Sequence, residues 1–245
     1  MSADPIVGIV VPSAEGTVPP EARQMYPDGV EFISTGLGLQ SLSPRGYDAV
    51  IDNIVGAAQS LATQGAAAIA ISGTSLTFYR GSAFHEELKA NVRDATGLPV
   101  TTMSTGVVEG LRAMGVRRVA VGTAYIDEVN RRLHQFLTDS DFEVLVLEGL
   151  GLEGFGAPSQ VTEADVQALG ERVFAAAPEA EGILISCGGL RTLDLTPRLE
   201  DACGVPVVSS RPAALWSAVR LVGHSGHAAG YGRLLALDTP APVAS

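Results

Sequence analysis

Lysine is almost missing from this 245-residue sequence. Lys89 is the only one, and Lys+Arg totals 16 against 27 Asp+Glu, a formal net charge of −11. A surface of that sign repels phosphate backbones, which excludes nucleic acid as an expected partner. Long apolar runs are missing too: none approaches the ~20 residues that a membrane-spanning helix needs. Met1-Ser2-Ala3-Asp4-Pro5 lacks the basic start of a signal peptide. Cysteine occurs only at Cys187 and Cys203, too few for a disulfide framework, and no His/Cys/Asp/Glu spacing suits a metal. With 46% hydrophobic residues the chain can bury a sizeable core, which excludes general disorder. These features predict a cytoplasmic globular protein, monomer or small homo-oligomer, with no membrane partner.

What is present alternates along the whole chain. Short segments, apolar on both faces, predict buried parallel strands at Ile6–Val11, Val30–Ser34, Ala67–Ser72, Leu98–Thr102, Arg117–Gly122, Glu143–Leu147, Gly182–Ser186 and Val205–Ser209. Helical patterns lie between them. One starts at Ser43-Pro44, carries Val50, Ile54, Ala58 and Leu61 on one stripe, and stops before Gly65. Another opens at Thr162 with Asp165 three residues on. Helices are also expected at Thr105–Met114 and Pro212–Val222, and a frayed tail from Asp238 through Pro242. Strand–helix alternation means α/β.

The strands repeat as four plus four. Ile69, Ile71, Ser72, Gly73 and Thr74 match Ile183, Ile185, Ser186, Cys187 and Gly188, and Gly97-Leu98-Pro99-Val100 matches Gly204-Val205-Pro206-Val207. The fold class expected is therefore α/β with two pseudo-symmetric lobes, each a four-stranded parallel sheet flanked by helices, and a site in the cleft between them. Residues 1–102 plus 210–245 would form the first lobe and 103–209 the second. Ligands of parallel sheets bind beyond the carboxyl ends of the strands. That singles out Pro12-Ser13, Gly73-Thr74-Ser75, Thr123-Ala124-Tyr125 and Cys187-Gly188-Gly189.

Several motifs lose to simpler readings. Gly149-Leu150-Gly151-Leu152-Glu153-Gly154 has the form GxGxxG, but Pro158 and Ser159 intervene before any helix and no acid ends the next strand. A flexible glycine-rich loop over the cleft is the better reading. Gly223-His224-Ser225-Gly226-His227 misses the nucleophile elbow at its last position and follows a helix rather than a strand. His224 and His227 read as surface loop histidines, and His85 and His134, in polar helical stretches, as solvent-exposed. Cys203 reads as a small buried hydrophobe. Cys187 ends a strand before Gly188-Gly189 and a helix, where amide groups favour an anion, so position alone leaves it either structural or chemical. Thr74-Ser75 offers two hydroxyls and helix-start amides, which suit a carboxylate cradle as well as a plain cap, and Tyr125 could add a third hydroxyl.

Gly73-Thr74-Ser75-Leu76-Thr77-Phe78-Tyr79-Arg80-Gly81, Thr123-Ala124-Tyr125-Ile126-Asp127 and Ser186-Cys187-Gly188-Gly189-Leu190 resemble the arylmalonate decarboxylase family. Gly36-Leu37-Gly38-Leu39 and Ser209-Ser210 extend the likeness. That family is grouped with the aspartate/glutamate racemases and maleate isomerases. The resemblance implies cofactor-free, enantioselective decarboxylation of α-aryl-α-alkyl malonates. It implies that Thr74, Ser75, Tyr125 and the Gly188 amide hold the retained carboxylate and that Cys187 donates the proton. Pro12, Ser13, Leu39, Leu42, Tyr47, Gly73, Leu76, Phe155 and Gly189 fall on positions that surround the substrate. Ser13 stands where the family pattern has a second proline, Phe155 where it has a smaller aliphatic residue, and Pro158 where it has methionine. The rival readings are a racemase or cis–trans isomerase of the same superfamily and a two-lobed carboxylate binder without chemistry. The racemases resembled here use a cysteine from each lobe, whereas Cys187 pairs with Gly73.

Overall fold

A computed structural model describes residues 3–238; the expected tail beyond Asp238 lies outside the described residues. The chain runs β1 (Ile6–Val11), α1 (Pro20–Met25), β2 (Glu31–Gly36), α2 (Pro44–Asp48), α3 (Ile54–Thr63), β3 (Ala68–Ile71), α4 (Thr74–Phe78), α5 (Ser82–Thr96) and β4 (Val100–Thr102). It continues through α6 (Met103–Ala113), β5 (Arg118–Thr123), α7 (Asp127–Asp139), β6 (Glu143–Gly149), α8 (Glu163–Ala176), β7 (Gly182–Ser186), α9 (Thr196–Cys203), β8 (Val207–Ser209) and α10 (Ser210–Arg220). Two four-stranded sheets result, ordered β2-β1-β3-β4 and β6-β5-β7-β8, with every pairing parallel. The sequence repeat is thus a repeat of topology.

In each sheet the two inner strands carry the fully buried runs: Val7–Val11 and Ala68–Ile71, Val119–Thr123 and Gly182–Ser186. A glycine lets a helix close on each first strand. A Cβ at Gly8 would lie 3.0 Å from Leu61 Cβ on α3, and one at Gly122 would lie 2.9 Å from Leu169 Cγ on α8. The short edge strands β4 and β8 are buried because α6 and α10 cover them. These two helices pack on each other and touch strands of both sheets, which joins the halves.

The helix expected from Ser43 is not continuous. Ser43 Oγ does accept the Gly46 N–H, but the first turn ends at Asp48 and a short 3-10 turn precedes α3. Val50, Ile54, Ala58 and Leu61 are all buried, so the stripe is right although the axis breaks. α6 and α10 each start two residues earlier than expected, directly on the strand ends, with Thr102 Oγ1 accepting the Thr105 N–H. His85 corrects a second expectation. It is buried: Nε2 lies 2.8 Å from Thr102 Oγ1, and the ring stands edge-on to Phe136. Desolvation drives its pKa down to about 4. His134 and His227 are exposed, His224 is half-buried against Tyr26, and Cys203 is half-buried rather than enclosed.

Candidate active site

The tips of the four inner strands meet at one cavity of about 400 Å³. Pro12 and Ser13 arrive from β1, Gly73, Thr74 and Ser75 from β3, Tyr125 from β5, and Cys187, Gly188 and Gly189 from β7. Leu39, Leu42, Leu76 and Phe155 add apolar wall. Tyr47 stays just behind that wall, fully buried, with its ring 4.9 Å from that of Tyr79 and its hydroxyl beside Ser75. Burial raises its pKa, with Ser75 pulling the other way.

The Thr74 side is built rigidly. Its carbonyl accepts from Ser104 Oγ on α6 at 3.0 Å and from Thr77 Oγ1 at 3.0 Å, and those two hydroxyls lie 2.7 Å apart. Thr74 Oγ1, by contrast, is buried at the cavity and makes no hydrogen bond of good geometry. An orphaned buried hydroxyl is costly and asks for an outside partner. The Tyr125 hydroxyl lies between Thr74 and Ser186 Oγ, the latter 3.3 Å away. Complete burial raises the Tyr125 pKa well above the ordinary phenol value, so it remains a donor.

Cys187 occupies a left-handed backbone conformation, φ 145°, that a non-glycine residue rarely adopts. Such strain costs ~1–3 kcal/mol and clusters where geometry serves function. Burial pushes the thiol above its ordinary pKa. The Gly189 amide, the Arg211 charge, the Tyr125 hydroxyl and the Leu190 amide pull it back, in that order. The helix expected after Gly188-Gly189 does not start there. Leu190 N–H closes a turn onto the Cys187 carbonyl, and α9 begins only at Thr196. The amides near the sulfur therefore belong to a turn.

The glycine-rich segment after β6 is a strap rather than a loose loop. Leu150, Gly151 and Leu152 donate backbone hydrogen bonds to Thr123, Tyr125 and Ala124, and the Leu42 N–H bonds the Glu153 carbonyl. This ties the strap across both halves and sets half-buried Phe155 over the cavity. Several lining residues escaped the sequence reading, among them Glu21 and Arg211, 190 positions apart and ion-paired at 3.0 Å. No local spacing could have announced that pair. Among the described residues no group of three His, Cys, Asp or Glu could hold a metal ion, and no helix is long and apolar enough to cross a membrane.

Known proteins resemble this chain in both sequence and fold. An arylmalonate decarboxylase from Bordetella bronchiseptica is 52% identical over 234 residues, 95% of this chain and 97% of its own. A glycine-to-cysteine, cysteine-to-serine double variant of arylmalonate decarboxylase, solved in a liganded form, superposes with a TM-score of 0.92 at 52% identity, covering 94% of this chain and 98% of that one. Maleate isomerase Iso from Pseudomonas putida S16 shares the fold at TM-score 0.87 but only 18% identity, over 95% of this chain and 98% of its own. The family model described as arylmalonate decarboxylase matches residues 7–235. The chain belongs to the arylmalonate decarboxylase family.

Proposed function

We propose that this enzyme decarboxylates α-aryl-α-alkyl malonates to one enantiomer of the α-aryl acid, without a cofactor. Loss of CO2 breaks one C–C bond and leaves its electron pair as an enediolate on the retained carboxyl. Thr74, Ser75, Tyr125 and the Gly188 amide donate hydrogen bonds to those oxygens as their charge grows, usually the largest catalytic contribution. The apolar wall of Leu39, Leu42, Leu76 and Phe155 suits the departing group once it is neutral CO2. Cys187, held protonated at neutral pH by burial, then gives its proton to the α-carbon, and the thiolate recovers a proton from water.

The observation that carries this reading is an asymmetry across a symmetric cavity. A thiol ends β7, while glycine occupies the equivalent tip of β3. One acid on one face protonates stereospecifically. Racemisation needs an acid/base group on the other face as well, and a binder without chemistry gives a strained, buried thiol no task. Substrate-dependent CO2 release from a panel of disubstituted malonates tests the proposal. Release is expected for aryl members. Tight binding of the whole panel with no CO2 evolved would favour the binder.

A further inference from the structure

The first turn of α10 grips the Cys187 turn at two points. Ser210 Oγ accepts the Cys187 N–H at 3.3 Å, and Arg211 Nη2 donates to the Gly188 carbonyl. Arg211 Nη1 is held in turn by Glu21 on α1, at 3.0 Å. The pair is sheltered, with the two side chains 24% and 18% exposed, unlike most ion pairs of this protein. Arg211 Nε is buried beside Gly188 with no hydrogen-bond partner. No peptide bond among the described residues is cis. In a trans peptide the carbonyl and the next N–H point in opposite directions. Gripping the Gly188 carbonyl therefore aims the Gly189 N–H the other way, and that amide lies against the Cys187 sulfur.

We propose that Arg211 and Glu21 are positioning residues for the protonation step: Arg211 fixes the Gly188–Gly189 peptide against Cys187, and Glu21 fixes Arg211. The idea rests on the reading of Cys187 as proton donor. It also explains how a strained φ at Cys187 persists, since two side chains of one rigid helix over-determine it. The charged and titratable groups facing the thiol are Arg211 from α10, Tyr125 from the β5 tip and Tyr47 from α2; Glu21 acts through Arg211, and Arg191 lies exposed on the same cavity rim.

The test follows the thiol directly, through the pH dependence of its alkylation by iodoacetamide, alongside kcat and KM for a malonate that the enzyme turns over. Arg211→Met removes the charge that favours thiolate, so alkylation at pH 8 should slow roughly tenfold. It also frees the peptide, so kcat should fall, by about 10²-fold at most, with little change in KM. Arg211→Lys should leave both alkylation and kcat below wild type, because an ammonium supplies charge without the two-point fork that aims the Gly189 amide at the sulfur. Glu21→Gln releases Arg211 and should lower kcat in the same direction, by less than Arg211→Met, with little change in KM. These two losses are the signature, and both still read it if Arg211→Met fails to fold. Arg211→Lys alkylating and turning over within about twofold of wild type, or Glu21→Gln with an unchanged kcat, would overturn the proposal. A wild-type enzyme that releases no CO2 would refute the decarboxylase reading, while the alkylation arm would still decide the clamp.

Discussion

Thr74→Val separates stability from activity more sharply than any other change in this site. Valine keeps the branched shape of threonine and puts a methyl group in place of Oγ1, the buried hydroxyl that makes no hydrogen bond of good geometry. The Thr74 carbonyl keeps its bonds from Ser104 and Thr77, so the turn is not disturbed. Removing an unpaired buried hydroxyl recovers a desolvation cost of ~1–3 kcal/mol. At roughly 2–4 °C per kcal/mol for a chain of this size, the melting temperature should hold or rise by a few degrees. Turnover should move the other way. Deleting one donor to a developing oxyanion typically costs 10²–10³ in kcat, about 2.7–4 kcal/mol. Because that charge grows in the transition state, the loss should fall mainly on kcat rather than on KM. Calorimetry and CO2 release measured on the same preparation read both signs. A variant that melts well below wild type, or that turns over within a few-fold of it, would show that Thr74 is an ordinary cap.

Cys187→Ala should abolish turnover with the fold intact, and Cys187→Gly, relieved of a φ of 145°, should melt no lower than wild type while Cys203→Ala stays active; turnover assays and melting curves check all three. Gly73→Cys combined with Cys187→Ser should give the mirror-image acid, read by chiral chromatography. Its rate should fall because the new Cβ meets Pro12 Cγ at 3.0 Å in a φ of 104°. His85 predicts an acid limit: its pKa falls from 6.5 to about 4 on folding. Between those values the unfolded chain binds a proton that the folded one refuses, so stability is present above pH 6.5 and drains away as pH falls, by about 3 kcal/mol in all. Melting temperatures from pH 7 to pH 4.5 should show that decline, and His85→Gln should flatten it.

The inner strands were legible because burial on both faces leaves an unbroken apolar run. β1 and β7 match their expected bounds residue for residue, and the repeat of Gly73 with Cys187 placed the cleft. His85 was misjudged from the polarity of its neighbours, although Leu88 and Val92 follow it at helical spacing and share its buried face. The Arg211–Glu21 pair, the strap tied to Leu42 and the Ser104 support of Thr74 depend on contacts between distant segments, which periodicity does not encode. The Cys187 turn was read as a helix start because glycine pairs open both kinds of structure.

The most direct test of the account is the handedness of the acid formed from a prochiral α-aryl-α-methylmalonate in D2O. The account predicts CO2 release with one deuterium at the α-carbon of a single enantiomer, and no product from Cys187→Ala. Racemic acid from the wild-type enzyme, or undiminished single-enantiomer product from Cys187→Ala, would contradict protonation by one thiol on one face.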